Sequence, residues 1–246
     1  MRFITKTSVV IAALFVASAA FAEGSPEMGN LANGKKIFEN GKGDVPACNS
    51  CHGKDGMGDD TMGTPRLAGQ GYMYIVKELT DFATDKRKDL TMFIMNTNAK
   101  GLTPQDRKDV ATYVNSLTRD SVNTDLSKLK DLGQTVGVRY LGKSIVKYGA
   151  ADRGIPACYS CHGYNGRGAA PQFPTIGSQR FVYLMNQLTR WKDGTLEKGR
   201  RNDPMGMMRA VAKNLTEEDM RNVATFLTTA PRTTLGNHRT PREYSH

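Results

Sequence analysis

The sequence predicts an all-α protein built from two tandem copies of one small domain. Apolar residues recur at helical spacing in several segments, and alternation at the strand period is absent. The chain also repeats itself. Val45-Pro46-Ala47-Cys48 recurs as Ile155-Pro156-Ala157-Cys158, and Met92, Met95, Leu102, Thr103 and Asp106 recur as Met205, Met208, Leu215, Thr216 and Asp219. All four cysteines fall inside the repeat, two per copy.

The first segment is expected to be an export signal. Arg2 and Lys6 precede an apolar run from Val9 to Val16, and Ala20-Phe21-Ala22 follows, so cleavage is expected after Ala22 and the mature chain in the periplasm. The run is shorter than the roughly 20 apolar residues that span a bilayer. Residues 23–120 then form the first domain, 121–131 a linker, 132–230 the second domain and 231–246 a basic tail.

Within the domains, short helices are expected near Gly34–Glu39 and Tyr140–Tyr148. Longer amphipathic ones are expected over Gly71–Phe82 and Gln179–Trp191, where Gln70, Tyr74, Leu79, Thr80 and Phe82 match Gln179, Tyr183, Leu188, Thr189 and Trp191. The last helix of each copy opens with a variant capping box. Thr103 and Thr216 can accept from a freed amide, while Asp106 and Asp219 reach back.

The cysteines carry the chemistry. Cys48-Asn49-Ser50-Cys51-His52 and Cys158-Tyr159-Ser160-Cys161-His162 are two C-x-x-C-H motifs, the attachment pattern of c-type haem. Two thiols one helical turn apart can each bond one porphyrin vinyl group, and the adjacent histidine can then ligate iron. Disulfides, a redox dithiol or zinc are the alternatives. A dithiol requires no adjacent histidine, and zinc needs a further ligand pair nearby. The other histidines, His238 and His246, lie in the polar tail. Two covalent haems are therefore expected, each supplying much of the core that a domain this small lacks.

The opposite iron ligand is expected to be a methionine about 40 residues further on, where the thioether raises the potential and closes the iron to substrates. The candidates are Met92 and Met95 in the first copy, and Met205, Met207 and Met208 in the second. Methionines also fill cores, but here the positions recur at matching distances from the capping box.

These residues resemble the dihaem cytochrome c4 family over nearly the whole mature chain. The resemblance rests on the paired C-x-x-C-H motifs, on Pro65-Arg66-Leu67-Ala68-Gly69-Gln70 with its echo Pro174-Thr175-Ile176-Gly177-Ser178-Gln179, and on Met208-Arg209 before Leu215. It implies two class-I cytochrome c domains related by a pseudo-twofold axis, with haems near their interface. It implies axial pairs His52/Met95 and His162/Met208, with Pro65 and Pro174 orienting the histidines. Asn96 departs from the pattern where the second copy has Arg209, and the basic tail continues past the end that the resemblance implies.

Charge is uneven. The chain is formally +10; residues 23–120 hold 13 basic and 14 acidic side chains, whereas 121–230 hold 16 and 9. Arg190, Lys192, Lys198, Arg200 and Arg201 cluster ahead of the second methionine group, either as a docking face of the second domain for an acidic redox partner or as a solvated basic loop that serves solubility. Peripheral membrane association is compatible with that balance, and nucleic acid is not an expected partner of an exported haem protein. The expected function is an electron carrier between a donor and a terminal oxidase or reductase. A permanent subunit of a dehydrogenase shares the same chemistry. A dihaem enzyme would need an open iron or an unusual ligand, and no spare cysteine exists to supply one.

Overall fold

The structure, a computed structural model, describes residues 28–117 and 124–230. The expected export signal, the basic tail with His238 and His246, and part of the expected linker lie outside the described residues. Those that are described fold as helices joined by loops, with only isolated β-bridges and no strands among them.

The first half contains α1 (Leu31–Asn40), α2 (Asn49–His52), α3 (Tyr72–Ala83), α4 (Ile94–Lys100) and α5 (Pro104–Ser116). The second contains α6 (Leu126–Asp131), α7 (Arg139–Tyr148), α8 (Cys158–His162), α9 (Phe181–Asp193), α10 (Met207–Lys213) and α11 (Glu217–Thr228). From α1 and α7 onward the two halves run in the same order. Helix α6 is the exception and a correction: it occupies part of the segment expected to be a linker. Asp125 caps it, and Leu129 is buried in the second core. Six residues are too few to show a helical period in sequence.

Each half is closed by the crossing of its first long helix with its last. Gly34 on α1 lies so close to α5 that a Cβ there would stand 2.0 Å from Asp109 O, and at Gly142 on α7 it would stand 1.8 Å from Asn222 O on α11. Only glycine allows that approach. Both capping boxes form as expected. Asp106 N donates to Thr103 Oγ1 at 3.1 Å and Thr103 N to the Asp106 carboxylate at 2.9 Å; the equivalents at Thr216 and Asp219 are 3.0 and 2.9 Å. A cation from the loop leading to each cysteine motif ties down the same aspartate, Lys42 on Asp106 at 2.7 Å and Arg153 on Asp219 at 2.6 Å.

Two separate apolar cores result. One gathers Ile37, Phe38, Ile75, Val110 and Val114; the other gathers Val146, Ile155, Phe181, Leu184 and Phe226. The halves meet along the segments that follow Pro65 and Pro174. Gln179 accepts from Arg66 N at 2.7 Å and donates to Arg66 O at 3.0 Å. Gln70 mirrors it, accepting from Thr175 N at 3.0 Å and donating to Thr175 O at 2.6 Å. A pair of like residues thus clasps the junction twice, about an approximate twofold axis.

Candidate functional site

Both cysteine motifs are short helices, α2 and α8, that end in histidine and then turn sharply at Gly53 and Gly163 (φ 79° and 70°). The four cysteines are unpaired with one another. Burial pushes the thiols of Cys48 and Cys158 up to about 11. The attacking thiol of a redox dithiol instead has a lowered pKa. Among the described residues no three His, Cys, Asp or Glu side chains converge on a metal-sized site of the kind zinc takes.

His52 and His162 are each 6% exposed. Their Nδ1 atoms lie 3.1 Å from Pro65 O and 2.9 Å from Pro174 O. A peptide carbonyl only accepts, so Nδ1 must carry the hydrogen and Nε2 keeps its lone pair. Burial pushes both imidazoles toward the neutral form, against the weaker pull of the proline carbonyls. Each ring is thus fixed in the tautomer that offers Nε2 to a metal.

One largely apolar cavity of about 420 Å³ runs through both halves. Cys48, Cys51, His52, Pro65 and Met95 line it on one side of the junction. Cys158, Cys161, His162, Pro174 and Met208 line it on the other, and Met207 joins them. Met92 and Met205 do not; they are 83% and 93% exposed. Both sit at left-handed backbone positions (φ 55° and 53°) in the turn before α4 or α10, and that turn sends their side chains to solvent. The spacing left both methionine pairs open, and only the turn separates them.

Sequence reasoning missed the polar cluster where the halves meet. Glu78 receives Arg87 at 2.6 Å and Arg200 at 2.9 Å, and all three are buried. Gln187, at the repeat position matching Glu78, accepts from the same two guanidiniums at 3.2 and 2.8 Å. Burial alone would raise the Glu78 carboxyl, but Arg200, Arg87 and Lys77 outweigh it and hold its pKa at about 2. This corrects the surface-docking reading of one residue. Arg200 is 7% exposed and faces the junction, whereas Lys192, Lys198 and Arg201 remain at the surface.

The cytochrome c family model matches residues 31–118 and 150–231, one span per half and each containing a C-x-x-C-H motif. The chain is 31% identical to cytochrome c4 of Pseudomonas aeruginosa, an alignment covering 76% of this chain and 85% of that one. This protein belongs to the dihaem cytochrome c4 family. The crystal structure of reduced cytochrome c4 from Pseudomonas stutzeri superposes with a TM-score of 0.64 at 28% identity, covering 82% of this chain and 99% of that one. A thiosulfate dehydrogenase electron acceptor from Stutzerimonas stutzeri is 32% identical, covering 79% and 85%. A thiosulfate dehydrogenase (TsdBA) from Marichromatium purpuratum superposes with a TM-score of 0.72 at 32% identity, but this cytochrome spans only 40% of that chain's length.

The protein is therefore a dihaem c-type cytochrome that carries electrons, with one haem bound covalently in each half. Its residues fit that group: unpaired thiols, a neutral histidine with a free Nε2 and a methionine bound one apolar cavity in both halves. Haem held there supplies one-electron redox chemistry. The chain's own part is to exclude water and fix the histidine ring.

Proposed function

We propose that this cytochrome holds its irons between His52 and Met95 and between His162 and Met208, and relays electrons from a periplasmic dehydrogenase to a terminal oxidase or reductase. The observation that carries the reading is that Met95 and Met208, at matching repeat positions, line the cavity with the two histidines while Met92 and Met205 face solvent. Two closed irons suit a carrier and not an enzyme, which needs an open position. Similarity to a protein named as the electron acceptor of thiosulfate dehydrogenase favours a thiosulfate-oxidising donor. Cleavage after Ala22 places the mature chain, with its two domains, in the donor's compartment. Lys192, Lys198 and Arg201 offer a basic face to an acidic partner, and no described helix is long and apolar enough to cross a membrane.

The test is an absorption spectrum of the purified protein with and without carbon monoxide. Two c-type haems per chain, a thioether-to-ferric-iron band and no response to carbon monoxide are expected. Met95→Ala should admit carbon monoxide at one haem, and Met92→Ala should not; the reverse result overturns the ligand reading. Rapid reduction by a thiosulfate dehydrogenase with thiosulfate, slowed by salt, would support the partner and its docking face. The permanent-subunit reading draws on the match to part of a thiosulfate dehydrogenase chain, and co-purification from the native cell favours it.

A further inference from the structure

The proline carbonyls that receive the two histidines are each one end of a peptide unit, and the other end of that unit is held from across the molecule. Pro65 O accepts from His52, and the amide of the same peptide, Arg66 N, donates to Gln179 at 2.7 Å. Pro174 O accepts from His162, and Thr175 N donates to Gln70 at 3.0 Å. Both glutamines are buried. Each also donates through Nε2 to the next carbonyl along, so turning the amide over would break two bonds at once. Arg180 N adds a third bond, donating to Gln179 at 2.9 Å.

We propose that Gln70 and Gln179 are positioning residues that tune the redox potential of the haem in the opposite half, acting through that half's histidine. When a peptide N–H donates, its carbonyl oxygen gains electron density and becomes a better acceptor. A better acceptor at Pro65 draws the Nδ1 hydrogen of His52 and makes Nε2 a stronger donor to iron, which favours the ferric state. The clasp also fixes the direction of the carbonyl. Each haem's potential therefore depends on a side chain of the other domain, and a change at the junction reaches the irons without touching an iron ligand. The inference rests on the reading that His52 and His162 ligate the irons.

The experiment is spectroelectrochemical titration of the full holoprotein, with each wave assigned to a half from the contacts of its haem methyl protons in NMR spectra. Gln179→Leu should raise the reduced-to-oxidised ratio of the His52 haem about threefold at fixed solution potential and leave the His162 haem unmoved. In the reduced protein the His52 Nδ1 proton should exchange with solvent faster. Gln70→Leu should do the same to the His162 haem alone. Gln179→Glu still accepts from Arg66 N and should make the His52 haem harder to reduce, opposite in sign to the leucine variant. Equal shifts at both haems, a shift at the haem of the substituted half, or leucine and glutamate variants moving together would each overturn the proposal. Fewer than two c-type haems in the wild-type protein would instead overturn the histidine reading on which it rests.

Discussion

The two halves share a backbone plan yet bring different charges to their junction. The first contributes Arg87 and Glu78; the second contributes Arg200 and, at the position matching Glu78, Gln187. Each guanidinium touches both acceptors, so the geometry is nearly symmetric and the electrostatics are not. A single carboxylate faces two buried cations. Helix crossings, caps and histidine supports are copied between halves because a change in any of them breaks packing or leaves a buried group unpaired. Glutamate and glutamine fill nearly the same volume and accept the same bonds, so that position could diverge in charge at small cost to shape.

The largest effect should come from removing the acceptors. Glu78→Leu leaves two buried guanidiniums with neutral acceptors alone, Gln187, Tyr183 and Asn202, and should destabilise the holoprotein by about 3–5 kcal/mol. Gln187→Leu removes a neutral partner and should cost about 1–3 kcal/mol. Guanidinium denaturation of both variants measures the gap, and equal losses would mean that the charge difference is energetically silent.

Acid titration should sharpen the same contrast. The Glu78 carboxyl is held at about 2 against an ordinary value of 4.5. Its stabilisation is fully present above the ordinary value and is lost as pH falls through the lowered one, on the order of 3 kcal/mol. Gln187 does not titrate and contributes nothing to that limb. Unfolding free energy followed from about pH 5 to pH 2 should fall more steeply for wild type than for Glu78→Gln. Parallel curves would assign the acid loss to other carboxylates.

The smallest effect tests what the halves have in common. Thr103→Ala and Thr216→Ala each remove one side of a capping box with the same geometry, and each should cost about 1 kcal/mol. Thermal melts of the two variants should agree. A marked inequality would show that matching caps do not carry matching energies.

Much of this architecture was legible in the chain because it is local or repeated. The cysteine motifs, the capping boxes and the correspondence of Gln70 with Gln179 are sequence patterns that survive unchanged in the fold. What escaped has a common physical cause: it depends on contacts between distant segments or on single backbone angles. Glu78 and Arg200 meet only when the halves pack, so a run of basic residues read as a surface cluster conceals one buried partner. Met92 and Met95 have equal claims by spacing, and a left-handed turn at Met92 and Phe93 separates them. Helix α6 is visible only through the burial of Leu129.

The reciprocal glutamine clasp has the form that two identical chains would make, since a twofold contact uses one residue type on both faces. In a dimer of identical chains, every substitution at such a contact appears twice and is judged twice. Joining the copies in one polypeptide removes that constraint, and each side can change alone while its counterpart keeps the geometry. Gln70 and Gln179 show the inherited symmetry, and Glu78 opposite Gln187 shows its relaxation within the same interface. Covalent duplication thus gives this molecule two electron sites that can be adjusted one at a time.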